Sequence, residues 1–285
     1  MILLPLLVGC SGSAPDPAAP LADVTLQREA NAGRLAYELE RDEEAVTQYR
    51  AALTRAQERD DLEAIGDIGY NLTVVELRAN TPERTLVDAR ATRAELERRG
   101  VEPFPALLLA EATALYRTGA VAEADRAAQP IQRAGDIDAA ARATILRGLI
   151  ADERGDETGL TAAVDALNAE KTPALEADFA ELAARLALRR SDSAHARQKA
   201  ARAAELRQEA LDYRGLARAL AVEAVAAERA GDEAAADLFL RAGRSAAAQA
   251  TRPARVCGSG ARRTLPLAVR SGAAQSLRSV NQANE

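Results

Sequence analysis

Apolar and small residues recur along most of this chain at intervals of three and four, the spacing of one helix face. Leu62, Ile65, Gly69, Leu72 and Val75 make one such stripe, and Ile137, Ala141, Ile145, Gly148 and Leu149 make another. A small residue in mid-stripe lets a neighbouring helix come close. Apolar β-branched residues never alternate over five or more positions, so no strand is predicted. Turn signals divide the pattern. Gly-Asp pairs at 135–136, 155–156 and 231–232 predict a left-handed helix end followed by a side-chain acceptor for the next helix. Thr81-Pro82 and Thr172-Pro173 predict a capping hydroxyl before a proline at the first helical position. The resulting helices span 23–39, 43–59, 61–79, 82–99, 104–118, 121–134, 137–153, 157–168, 173–189, 193–210, 212–230 and 232–250.

These helices fall into pairs with an internal repeat. A small residue is followed seven positions later by a turn residue and five beyond that by an alanine. Ala112, Gly119 and Ala124 fit, as do Ala224, Gly231 and Ala236. Gly148 and Gly155 fit with Leu160 in the last place, and Gly33 and Ala45 fit around Glu40, with Tyr49 as the bulky residue of the second helix. The turns lie near 40, 80, 119, 155, 190 and 231; those near Asn80 and Arg190 lack the glycine and follow from spacing alone. The pattern resembles the tetratricopeptide repeat over roughly residues 23–250, although the turn spacings of 35 to 41 exceed that family's usual unit of about 34. The resemblance implies an all-α, right-handed superhelical solenoid of about six antiparallel helix pairs.

The two ends differ from this body. Ile2 to Val8 is an apolar run too short to span a bilayer, which needs about 20 residues. It leads into Leu7-Val8-Gly9-Cys10, which resembles the lipobox of bacterial lipoproteins. The resemblance implies a signal segment over 1–9, a lipidated Cys10 and a flexible, Pro-rich tether over 10–22. Two or three acyl chains, as in that family, give a permanent anchor where one would not. Ser11 rather than Asp after the cysteine favours the outer membrane, with the protein facing the periplasm. No Lys or Arg precedes the apolar run, so we expect the true start to lie upstream of Met1. Residues 251–285 lose the helical period and carry six Arg against Glu285, a charge of +5; we expect a basic, disordered tail.

The whole chain is at −6, which leaves −11 outside the tail. An acidic body repels phosphates and argues against a nucleic-acid partner. Lys171 and Lys199 are the only lysines; we attribute the preponderance of arginine to a GC-rich genome and not to guanidinium chemistry. With Cys10 lipidated, Cys257 stands alone, and no internal disulfide forms.

Catalytic chemistry has little to draw on. His195 is the sole histidine, near a helix start, and reads as an ordinary helix residue. There is no nucleophile elbow, His-Glu-x-x-His site, paired-Cys site or phosphate loop, so no enzyme, cofactor or metal is expected. The acidic runs at 40–44 and 58–61 are interrupted by Arg and read as solvated helix ends. Implied instead is a scaffold for protein–protein interaction at the cell envelope, held by the membrane through Cys10 and binding a protein or peptide in its concave groove. The candidate groove residues are Arg34, Tyr37, Tyr70, Tyr116, Arg142, Asp152 and Arg218, of types enriched at binding hot spots. The same tyrosines serve equally well as fillers between helices. A small-ligand sensor or enzyme on a repeat fold, and a cytoplasmic repeat adaptor with a chance lipobox, stay open as alternatives.

Overall fold

The computed structural model describes residues 23–133, 135–170 and 175–250. Within them lie α1 (Val24–Glu38), α2 (Asp42–Glu58), α3 (Leu62–Arg78), α4 (Pro82–Arg98), α5 (Pro105–Arg117), α6 (Val121–Ile131), α7 (Ile137–Arg154), α8 (Glu157–Glu170), α9 (Glu176–Arg189), α10 (Ser193–Glu209), α11 (Tyr213–Arg229) and α12 (Ala235–Ala250). No strand occurs among the described residues. Each helix packs on the next, in six consecutive antiparallel pairs. The expected signal segment, Cys10, the tether, Thr172-Pro173, Cys257 and the basic tail all lie outside the described residues.

One turn recurs through the stack. A residue of positive φ ends the helix, and the amide after it donates to a carbonyl five residues back, as in Thr81 to Glu76 at 3.0 Å and Asp192 to Ala187 at 2.9 Å. The left-handed position is held by Gly100, Gly119, Gly155 and Gly231, but equally by Glu40, Asp60, Asn80, Ser191 and Leu211. The turn assigned by spacing to Arg190 therefore centres on Ser191, one residue later. Gly135 does not adopt a left-handed conformation, although Asp136 after it caps α7 through the Ala139 amide at 3.0 Å. The expected Thr81 cap is also corrected. Its hydroxyl donates backwards to the Glu76 carbonyl at 3.1 Å and leaves the α4 amides alone.

The repeat positions carry the packing. Ala112, Ala124, Leu160, Ala224 and Ala45 are wholly buried. The units that turn at Asn80 and Ser191 place Thr73, Thr85, Ala184 and Ala196 there, also buried. Ala236 is the exception and is exposed, because the chain makes an extra turn at 233–234 before α12 begins. Ile137, assigned to an apolar stripe, is likewise 77% exposed, since it occupies the first turn of α7 beyond the reach of α6 and α8. Gly69 and Gly148 do permit close approach: a Cβ would fall 2.3 Å from Thr92 Oγ1 and 2.5 Å from Leu182 Cδ1 respectively.

The odd-numbered helices form a layer of their own. Besides its sequence neighbours, α5 touches α3 and α7, and α9 touches α7 and α11. Even-numbered helices make no comparable contact with one another. In a curved two-layer stack the more closely spaced layer is the inner one, so the odd helices line the concave side.

Arginine does more here than composition suggested. Guanidinium groups join residues about one repeat apart: Arg78 to Asp42, Arg50 to Asp88, Arg185 and Arg189 to Asp152, Arg197 to Asp232, and Arg218 to Glu181. Attributing arginine to base composition alone is therefore corrected. A planar fork can bridge a carboxylate on the next repeat, as an ammonium cannot.

Candidate partner-binding groove

All seven groove residues expected from the sequence sit on odd helices, and the structure sorts them into two groups. At the first end Tyr37 of α1 stacks under the Arg78 guanidinium, 3.5 Å from ring centroid to Cζ. Tyr70 of α3 meets Phe104 edge-on, centroids 5.6 Å apart. Burial pushes the Tyr70 hydroxyl above its usual range, and Arg142 of α7 partly offsets this. Arg34 and Arg142 are exposed and pair within their own helices, with Glu38 at 2.9 Å and Asp138 at 3.2 Å. These are solvated surface pairs of small energy.

The second group converges on a cleft of about 590 Å³ between α7, α9 and α11. Arg185, Arg189, Arg218 and Arg229 line it, with Asp152 as the carboxylate of the lining. Leu188, Ala221, Val222 and Val225 supply apolar surface. Asp152 accepts from Arg185 Nη1 at 2.8 Å and Arg189 Nε at 2.9 Å. Beneath lies Glu181, 2% exposed, which accepts two bonds from Arg218 at 2.9 and 3.0 Å and one from Arg185 at 3.0 Å. Burial alone would push the Glu181 carboxyl up, but Arg218, Arg185 and Arg207 outweigh it and hold the group below the usual range. Tyr116 borders this end; burial and then the Glu153 carboxylate push its hydroxyl up.

Four guanidinium groups thus face two carboxylates. Among the described residues Arg229 donates to a neutral acceptor, the Leu188 carbonyl, at 2.7 Å. Two more arginines continue the series. Arg117 reaches the Leu77 carbonyl at 2.6 Å, and Arg214 reaches Asn80 Oδ1 at 2.8 Å. Burial, then the charges of Arg214 and Arg218, depress Arg117 to about 10. Arg214 is lowered by burial and by Arg218. The Arg214–Asn80 bond spans 134 residues of sequence and ties α11 to the turn after α3.

Of the expected residues, Asp152 and Arg218 therefore line this cleft and Tyr116 packs beside it in the core between α5, α6 and α7, while Arg34, Tyr37, Tyr70 and Arg142 lie towards the first end. Sequence reasoning missed Arg185, Arg189, Arg229, Arg117, Arg214 and Glu181. A signal for part of the set exists: Arg214, Arg218, Val222, Val225 and Arg229 follow steps of three and four along α11. His195 is exposed at the start of α10, where its amide donates to Asp192, an ordinary helix position. No described helix is long and apolar enough to cross a membrane.

No protein-family model matches the chain, and no curated protein matches it. Among solved structures it is similar to a tetratricopeptide repeat protein from Parabacteroides merdae, at 15% identity and a TM-score of 0.49, over 79% of this chain and 87% of that one. It is also similar to BtubC (BKLC) from P. vanneervenii, at 15% identity and a TM-score of 0.47, over 84% of this chain and 98% of that one.

Proposed function

We propose that this chain is a non-enzymatic scaffold, anchored by lipid in the cell envelope, that holds a protein partner along its inner helical face. One observation carries the scaffold reading: the cleft between α7, α9 and α11 gathers Arg185, Arg189, Arg218 and Arg229 around one lining carboxylate, Asp152, with Glu181 beneath. A groove that keeps them beside apolar side chains resembles the centre of an interface, where arginine and apolar anchors are enriched. The anchor rests on Leu7-Val8-Gly9-Cys10 and the small, polar segment after it. An outer-membrane site facing the periplasm follows from Ser11 on the same reading. Assembly of an envelope complex is the role that best joins a permanent anchor to a protein-binding solenoid.

The anchor is tested by palmitate labelling and membrane fractionation in a bacterial host, wild type beside Cys10→Ala. Label and membrane retention are expected in the wild type and lost in the variant. Absence of label from both removes the envelope assignment. The scaffold is tested by crosslinking from the inner face of the intact protein. A discrete adduct expected at α11 and absent from the outer face of α10 supports it; equal adducts from both faces do not.

A further inference from the structure

We infer that the partner segment received by the groove is acidic at both ends and apolar in the middle, and that it lies along α11. This rests on the scaffold reading and specifies the chemistry of the partner. Along one face of α11 run Arg214 and Arg218, then Val222, mostly buried, and Val225, then Arg229; all but Arg214 line the cleft. From first to last arginine the strip is about 22 Å long, at about 1.5 Å of rise per residue. An extended peptide covers that distance with about seven residues, at about 3.3 Å each.

Charge fixes the ends of the ligand. Arg218 is committed to Glu181, whereas among the described residues Arg214 and Arg229 donate to neutral acceptors, Arg214 with the Asp212 carboxylate acting on it from nearby. Arg117 adds a further cation beside Arg214, again on a neutral acceptor. Carboxylates arriving at either end would replace amide and carbonyl acceptors with charge-assisted, bidentate ones. The centre is fixed by Leu188 and Ala221 together with the two valines, which offer nothing to a charged group. A nucleic acid would leave that apolar stretch unused and would approach an acidic body. The chain's own 251–285 segment carries +5 and has the wrong sign to occupy the strip.

The test uses the full chain and fluorescein-labelled peptides of about nine residues, enough to cover the strip. One peptide has two acidic residues at each end of a leucine–valine centre. A second replaces the acids with lysines, and a third replaces the centre with serines. Fluorescence anisotropy is expected to show saturable binding of the first peptide, weakening as salt rises. Binding of the serine peptide should be weaker by roughly tenfold or more, as loss of several buried methyl groups requires. Arg214→Gln with Arg229→Gln should weaken the first peptide by roughly tenfold while keeping the helical circular-dichroism spectrum, with at most a small drop in melting temperature from loss of the Arg214–Asn80 bond. Equal affinity for the serine peptide overturns the inference and reduces the strip to a general anion sink. Preference for the lysine peptide, abolished by Val225→Asp, also overturns it but retains the groove as an interaction surface. Failure of all three peptides to bind, or binding unaffected by either set of substitutions, overturns the inference and the scaffold site together.

Discussion

Two glutamates on the inner layer are almost completely buried, Glu76 on α3 and Glu181 on α9, and they respond to burial in opposite ways. Glu76 shares one guanidinium with a second carboxylate: Arg50 Nη2 lies 2.8 Å from Glu76 and 2.6 Å from Asp88. Burial and then Asp88 push the Glu76 carboxyl up to about 8. Glu181 has Arg218, Arg185 and Arg207 around it, and these hold it below the ordinary range in spite of the same desolvation. The local ratio of cations to carboxylates therefore decides ionisation, and depth alone does not. At Glu76 two acids compete for one arginine; at Glu181 three arginines converge, of which Arg185 is shared with Asp152 and Arg207 with Asp178 and Asp212. The contrast is local to the two glutamates, and the cleft lies beside the one richer in guanidinium groups.

The most disruptive way to test this contrast is to remove the acid from the cationic end. Glu181→Ala leaves Arg218 and Arg185 without their buried acceptor and is expected to cost about 3–5 kcal/mol. Urea unfolding monitored by circular dichroism would read it. A cost below about 1 kcal/mol would mean that water already satisfies these guanidinium groups, and the second end would lose its distinction.

Packing offers the next test. The second end is built on alanine contacts such as Ala184, Ala219 and Ala224, all wholly buried. Ala224→Leu, and Ala112→Leu at the equivalent place in α5, should overpack a helix pair and cost about 1–3 kcal/mol each. Neutral melting temperatures at both would show that the helix pairs can separate, and that the groove is softer than its geometry implies.

Titration separates the two glutamates more finely. A carboxyl raised in the folded state from 4.5 to about 8 stabilises the fold while protonated, and that contribution is lost as pH rises between those values. Glu181, lowered in the folded state, stabilises the fold above the ordinary glutamate range, and its contribution is lost as pH falls through the depressed value. Glu76→Gln keeps a neutral side chain at every pH. It should be near neutral for stability at pH 5 and stabilise by up to a few kcal/mol at pH 8, since roughly three pKa units at about 1.4 kcal/mol each lie between. Identical effects at the two pH values would place a charged Glu76 in the fold and erase the contrast.

Much of this architecture is legible in the sequence, for a physical reason. Helix periodicity, capping aspartates and the spacing of small residues are local signals, and the twelve helices follow from them within about three residues at each end. The register of the pairs was harder. A search for turn glycines misses Asn80 and Ser191 because the amide-to-carbonyl bond that closes each helix forms with any residue held left-handed there. The groove was legible in only two of its lining residues, with Tyr116 packed beside them. Tyr116, Asp152 and Arg218 could be assigned to inner helices by register. Their coming together with Arg185, Arg189 and Arg229 depends on how successive repeats rotate, which no single helix encodes. The role of Glu181 was hidden for the same reason, since its partners lie on α9, α10 and α11.

The smallest expected effect concerns the turns that deliver the two ends. Leu211, just before α11, holds φ at 54°, and Asn80, just after α3, holds it at 62°. A left-handed backbone costs an L residue with a bulky side chain roughly 1–2 kcal/mol, whereas asparagine tolerates it by bonding locally. Leu211 is 42% exposed, so little packing is lost by truncating it. Leu211→Gly should therefore relieve most of that strain while adding about 0.5–1 kcal/mol of backbone entropy to the unfolded chain, for a net gain of about 0.5 kcal/mol. Asn80→Gly removes less strain and also removes the acceptor of Arg214, the contact that joins α11 to the α3 turn. It should be neutral or slightly destabilising, with a free Arg214 left to face the groove. Thermal melts of the two variants, read with the acidic peptide present and absent, tell the two turns apart. A gain at Leu211 with no change in binding, beside a loss at Asn80 with tighter binding, is expected if Arg214 is shared between closing the solenoid and receiving the partner.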